Sequence, residues 1–317
     1  MNANKIGYLG PRGTFTEAAL EGLLEGQSDS VETIAYPTVV AVLDAVRSGE
    51  VGRGVVPIEN SLEGPVTTTL DALARHDDPL VIIGEYALPV RFALLVRPGT
   101  ELAAIEKLAT MPIAAAQCRQ WLDQNIPNVQ IIAASSTASA AKKLGENPDC
   151  DYEAAISPEV AAKHYGLDVL ASGIGDDSDA STRFVLVSRP VKPPTRTGAD
   201  KTTLMLFMRE DHSGALLEIL TELAVRGVNL TRIESRPTRK QLGDYYFSID
   251  AEGHVDDARV AQALTGLRRV CSEVRYLGSY PRHDGKESSV AHGASDTDFE
   301  AADAWIAAIR ERGSGRS

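Results

Sequence analysis

Ser181-Thr182-Arg183-Phe184 places a hydroxyl beside a guanidinium and an aromatic ring, after an acidic stretch at 173–180 and before the strand-like run Val185–Ser188. A hydroxyl there can hydrogen-bond a departing hydroxyl group while the arginine fork holds a carboxylate bidentately. A strand start with a solvated arginine is the plainer reading of the same residues. Pro57-Ile58-Glu59-Asn60-Ser61-Leu62-Glu63-Gly64 puts a carboxylate, an amide and a hydroxyl on three successive positions, an arrangement that suits a polyhydroxylated or carboxylated ligand. A turn in which Asn60 or Ser61 caps the next helix accounts for it equally well.

Gly10-Pro11-Arg12-Gly13-Thr14-Phe15-Thr16 sits between a strand pattern and a helix pattern. Its glycines permit a tight turn, Thr14 or Thr16 can cap the helix, and the amides of Gly13 and Thr14 can face an anion or simply close the turn. The Lys-Ser/Thr end of a P-loop and the third glycine of a dinucleotide fingerprint are both missing. Gln117-Cys118-Arg119 and Ser135-Ser136-Thr137 fall at expected passages from strand to helix. Cys118 without a matched histidine reads as a small core residue rather than a nucleophile. His76, His164, His212, His254, His283 and His292 show no ligand spacing, so no metal is expected.

The elements that must position these residues alternate. Ile6–Leu9, Thr33–Tyr36, Val55–Ile58, Val81–Gly84 and Phe92–Val96 read as strands, and Glu17–Glu25 and Val39–Arg47 as helices, the latter with Val39, Leu43 and Val46 on one face. A second series follows: helix Leu102–Leu108, strand Ile113–Ala116, helix Arg119–Asn125, strand Val129–Ala133, helix Ala138–Leu144, strand Ala154–Ile156 and helix Glu159–Tyr165. We expect two α/β lobes with largely parallel sheets and a ligand in the cleft at their strand ends.

Three prolines and a glycine at 190–198 mark a linker. Beyond it, strand Thr203–Met208, helix Gly214–Arg226, strands Asn229–Ser235 and Asp244–Asp250, helix Asp256–Val270 and strand Glu273–Tyr280 spell βαββαβ, a ferredoxin-like α+β domain. A polar segment then leads to Phe299, Ala302, Trp305, Ile306 and Ile309 on one helical face, which docks elsewhere or meets another subunit. The expected division is 1–189, linker 190–201, 202–282 and tail 283–317.

Composition removes several functions. The 317 residues carry a net charge of −12 with dispersed basic residues, which disfavours nucleic acid, and no apolar run approaches the roughly 20 residues of a membrane span. The start lacks the basic and apolar regions of a secretory signal, so a cytosolic protein is expected. Three widely spaced cysteines suggest neither a disulfide framework nor a zinc site.

In order, GPRGTFT, PIENSLEG, AAAQCRQWL and STRF resemble the prephenate dehydratase family, and Gly214-Ala215-Leu216 with Leu220 and Glu234-Ser235-Arg236-Pro237 resemble its ACT-type regulatory domain. The resemblance spans about residues 5–281. It implies a two-lobed α/β catalytic domain similar to type II periplasmic binding proteins, then a ferredoxin-like ACT domain that dimerises and binds phenylalanine. The implied reaction converts prephenate to phenylpyruvate, carbon dioxide and water without a cofactor, because aromatisation drives it. Thr182 is then expected at the leaving hydroxyl and Arg183 at a substrate carboxylate. Glu59, Asn60 and Ser61 are expected beside them, and Glu59 is to be bonded to an amide or protonated when substrate binds.

For the substrate, Gly13, Thr14, Phe15, Gln117, Cys118, Ser135, Ser136 and Thr137 are the implied contacts, with Phe15 and Phe184 as an apolar wall. Gly214, Ala215, Leu216, Leu220, Asn229, Leu230, Ile233, Glu234, Ser235, Arg236 and Pro237 are implied for phenylalanine. Met111 and Asp179-Ala180 stand where the family commonly has a histidine and an asparagine, so the proton source is left open. Ser213 replaces a usual proline. Arogenate dehydratase and a non-catalytic amino-acid binder are the competing readings, and the assembly is expected to be a dimer or tetramer.

Overall fold

The computed structural model describes residues 4–25, 31–75, 78–210, 212–238 and 244–314, so His76 lies outside the described residues. Two compact units emerge, Met1–Pro79 with Glu85–Arg189, and Leu80–Gly84 with Pro190–Ser317.

The first unit opens with β1 (Lys5–Leu9), α1 (Phe15–Leu24), β2 (Glu32–Tyr36), α2 (Val39–Ser48), β3 (Arg53–Asn60), the two-residue β4 (Gly64–Pro65), α3 (Thr67–Leu73) and β5 (Val81–Pro89). A second lobe follows with β6 (Ala93–Val96), β7 (Lys107–Thr110), α4 (Pro112–Gln117), α5 (Arg119–Asn125), β8 (Gln130–Ala133), α6 (Thr137–Glu146), β9 (Ala154–Ser157), α7 (Val160–Tyr165) and β10 (Asp168–Ser172). The chain then returns to the first lobe as β11 (Ser181–Ser188). The first sheet runs β2-β1-β3-β11-β5 with β4 on β3, and the second runs β10-β6-β9-β7-β8.

Both sheets are mixed, which corrects the expectation of largely parallel ones. β1 is parallel to β2 and β3, and β7 to β8 and β9, but β11 is antiparallel to β3, and β6 is antiparallel to β9 and β10. The cause is that the chain crosses between lobes twice, and the returning strand must run against its neighbour. The two crossings are tied together, with the Val90 N–H donating to the Ala180 carbonyl at 2.7 Å and the Ile174 N–H to the Phe92 carbonyl at 3.0 Å.

Two expected elements change type. Leu102–Ala104 is a single 3-10 turn and Lys107–Thr110 is a strand, while Pro112–Gln117 is a helix rather than a strand. Leu108, Ala109 and Thr110 are buried between β8 and β9, and so short a buried run carries no period to separate strand from helix. Pro112 supplies the φ of a first helical residue and three alanines favour the helix after it. Alternate residues of β6 serve opposite cores, Leu94 and Val96 on one face and Ala93 and Leu95 on the other, as in a sheet covered on both sides.

The second unit contains β12 (Asp200–Phe207), α8 (Ala215–Ala224), β13 (Leu230–Pro237), β14 (Tyr245–Glu252), α9 (Ala258–Val270) and β15 (Glu273–Pro281), an antiparallel sheet in the order β13-β14-β12-β15. Leu204, Leu206, Phe247 and Ile249 pack under Ile219 and Leu223 of α8 and Val260 and Leu267 of α9. The tail helix α10 (Asp296–Ser314) touches α9 and leaves Trp305 64% exposed. No helix among the described residues is long and apolar enough to cross a membrane.

Candidate active site and effector pocket

Thr182, Arg183 and Phe184 lie inside β11 rather than ahead of it, and Glu59 and Asn60 are the last residues of β3 rather than a loop. Thr182 pairs with Asn60 and Arg183 with Glu59 across the antiparallel ladder, before a register shift at Phe184. Ser61 closes the end: its N–H donates to the Ser181 carbonyl at 2.9 Å and its hydroxyl accepts from the Ser181 N–H at 3.0 Å.

Asn60 orients Thr182. The Asn60 Oδ1 accepts from the N–H groups of Leu62 and Glu63, both at 2.9 Å, so its NH2 group is turned to donate to Thr182 Oγ1 at 2.8 Å. A threonine hydroxyl has one proton and two acceptor positions. Because Thr182 accepts from Asn60, its own proton remains available for donation.

Arg183 is placed differently from the expectation that it holds a substrate carboxylate. Its Nε donates to Glu85 Oε2 at 2.6 Å and its Nη1 lies 3.5 Å from Glu59 Oε2. The Arg183 and Glu85 side chains are 11% and 5% exposed. Two protein carboxylates on one guanidinium make it a clamp on β3, β5 and β11 rather than an open fork. Glu59 accordingly finds its partner in a cation and not in an amide. Glu85 was absent from the sequence reading, although a lone carboxylate in the apolar run Val81–Pro89 is the kind of buried charge that asks for a partner.

The Gly10–Thr16 turn is also internally committed. Glu17, buried on α1, accepts from the Gly13 N–H at 2.5 Å and the Tyr8 hydroxyl at 3.1 Å, and lies 3.0 Å from His164 Nε2 of the other lobe. The Gly13 amide is therefore spent on Glu17, which corrects its expected role as an anion donor. Thr14 donates to the Leu9 carbonyl at 3.0 Å and accepts from the Glu17 N–H, capping α1. Burial and the neighbouring Glu17 carboxylate push the Tyr8 phenol up from its usual range. Phe15 packs edge-on against Phe92 of the second lobe with ring centres 5.4 Å apart. Phe184 is 2% exposed, a core residue, so it does not line an open wall.

Gln117 bridges the lobes through Nε2 to Glu63 Oε1 at 3.2 Å. Ser135 and Ser136 bond to Ser139, Ser136 forming a capping box for α6, and Thr137 is buried in its first turn. Cys118 is fully buried, and burial first, then Asp176, pushes its thiol up to about 12. Alkylation of the native protein, read by mass spectrometry, should label Cys150 first and reach Cys118 and Cys271 only after unfolding.

In the second unit a pocket of about 300 Å³ opens at the start of α8, lined in part by Gly214, Ala215, Leu216 and Ser235, together with Met208, Tyr245 and Phe247 that sequence reasoning missed. Gly214 holds φ +96°, and the Ala215 N–H is used by the His212 carbonyl at 3.1 Å. Side chains of a strand alternate, so Ser235 shares the pocket face with Ile233 and Pro237, while Glu234 and Arg236 point to the other face, corrections to their expected contact. Asn229 is exposed and its carbonyl is bonded to the Glu252 N–H, Leu220 is half-buried, and Leu230 joins the core.

Two lobes joined by two crossings, an oriented hydroxyl at paired strand ends and a βαββαβ unit with a small apolar pocket define a two-lobed α/β enzyme with an appended ligand-binding domain. A family model described as prephenate dehydratase matches residues 6–192 and one described as ACT domain matches residues 202–269. Prephenate dehydratase of Mycolicibacterium gilvum is 46% identical over 314 residues, covering 96% of this chain and 98% of the relative. A crystal structure of prephenate dehydratase from Arthrobacter aurescens in complex with L-Phe has 50% identity and TM-score 0.90, covering 97% of this chain and 99% of that one. A structure described as a quorum quenching acylase is more distant, with 29% identity and TM-score 0.78 over 87% of this chain and 97% of its own. The chain belongs to the prephenate dehydratase family.

Proposed function

We propose that this chain converts prephenate to phenylpyruvate, carbon dioxide and water, with L-phenylalanine as its allosteric effector. The observation that carries the catalytic part is the Asn60 to Thr182 hydrogen bond, which leaves the Thr182 hydroxyl as a donor. In the reaction the bond to the ring carboxylate breaks and its electron pair completes the aromatic ring. The ring hydroxyl departs with its own pair and takes up one proton, leaving as water. Thr182 stabilises that departure as donor or relay, and Asn60 keeps it aimed.

Arg183 offsets one of the two negative charges of Glu59 and Glu85, so a doubly negative substrate does not meet two bare carboxylates. Phe15, partly buried and braced edge-on by the core residue Phe92, supplies apolar surface where a poorly solvated carboxylate loses CO2 readily. The start of α6, with Ser135, Ser136 and Thr137, is the remaining candidate for anchoring the other carboxylate.

A pocket of about 300 Å³ with apolar lining suits a single aromatic amino acid. Around it Leu216 is 37%, Leu217 67%, Ile233 42% and Tyr245 42% exposed, a rim that a second copy of the chain would cover, giving a dimer or a tetramer built from it. The location consistent with this biosynthetic step is the cytosol. Purified protein supplied with prephenate should yield phenylpyruvate and, supplied with arogenate, little phenylalanine. The reverse preference would assign it to arogenate, and no product from either would leave a binder. Titration calorimetry should show saturable phenylalanine binding, and its absence would remove the effector role.

A further inference from the structure

Strand β5 is shared between the two units: Leu80–Gly84 groups with the second and Glu85 onward with the first. Within the second unit the Ile82 backbone lies so close to β15 that a Cβ on Gly278 would clash with the Ile82 carbonyl oxygen. Gly278 has φ +139° and sits where β15 shifts register against β12, Thr203 pairing with Gly278 and Leu204 with Tyr276. Glycine is required there for both the conformation and the backbone approach. Leu80 and Ile82 are each 1% exposed, so the stretch is packed and not a loose tether. Three residues past Ile82, Glu85 is buried and accepts the 2.6 Å bond from Arg183, the chain neighbour of Thr182.

We propose that β5 is the relay by which the state of the effector domain reaches the reaction site, with Glu85 as the positioning residue at its catalytic end. The proposal rests on the effector reading above. A displacement of Ile82 against β15 passes along one continuous strand, three residues, to Glu85. Glu85 then moves Arg183 and with it the β11 end that sets Thr182 against Asn60. Packed elements move between discrete arrangements rather than deforming smoothly, so a small shift at β15 is sufficient to break the alignment of a hydrogen bond. Phenylalanine inhibits to the extent that it favours the β5 position with Thr182 misaligned, a coupling of typically about 5–150-fold.

Gly278→Ala in the full-length protein is the first test, because Gly278 lies outside both the reaction site and the pocket. Phenylalanine is still expected to bind by calorimetry, turnover without it falls because the displaced Ile82 shifts Glu85 and Arg183 by the same route, and the remaining inhibition weakens roughly tenfold or more. Wild-type inhibition in a folded variant overturns the relay. If the added Cβ prevents folding, hydrogen exchange on the wild-type chain decides: saturating phenylalanine should change exchange in peptides covering 81–89. Unchanged exchange there, with changes around the pocket, also overturns it. A wild-type chain that neither consumes prephenate nor binds phenylalanine would instead overturn the reading beneath the proposal.

Discussion

Thr182→Ala is expected to lower kcat with prephenate by about 10²–10⁴-fold, with KM little changed, because the lost hydrogen bond strengthens only as the hydroxyl leaves. The 2.8 Å bond from Asn60 occupies one acceptor position of the hydroxyl and keeps its proton out of that direction. Asn60→Ala leaves that hydroxyl free to rotate and should reduce kcat by a smaller factor. The double variant should be little worse than Thr182→Ala alone, since both act through one hydrogen bond. Steady-state kinetics on the three variants checks this, and full additivity would mean that Asn60 works by another route.

Arg183→Met is expected to cost about 3–5 kcal/mol of stability, more than a surface ion pair would, because it strips the buried Glu85 carboxylate of its guanidinium. Urea denaturation measures it. Replacing Glu85 by leucine in the same chain should recover most of the stability, since it removes the buried carboxylate and leaves only Glu59, whose side chain is 38% exposed to water, while turnover stays low because the β11 end is no longer clamped. A loss under about 1 kcal/mol in the single variant would mean that the pair behaves as a solvated surface contact.

Much of the second unit was legible in the sequence because its periods are strong. Phe247 and Ile249 share the helix-covered face of β14, although β14 is buried on its other face too and Tyr245 at its start is exposed, and Ile219 and Leu223 of α8 are buried one turn apart. The same helix shows where pattern stops: Leu216 continues the apolar stripe but rims the pocket instead of the core. In the first unit the candidate residues lay in the right segments while their roles depended on partners far away in the chain. Asn60 and Thr182 are 122 residues apart, and the ladder that joins them extends β3 and β11 past the ends that local propensity suggests. Arg183 looked available for a ligand because nothing near it in sequence announces Glu85, 98 residues earlier. Gly13 looked like an anion donor for a different reason: the carboxylate that takes its amide, Glu17, is only four residues along but reads as an ordinary first-turn residue of the helix.

Side-by-side turnover of prephenate by Thr182→Ser and Thr182→Val tests the central claim most directly, since serine keeps the hydroxyl and valine keeps the shape without it. The serine variant should retain most of the wild-type kcat and release phenylpyruvate and carbon dioxide one to one, while the valine variant falls with alanine. Wild-type turnover by the valine variant would contradict the assignment of Thr182 to the leaving hydroxyl.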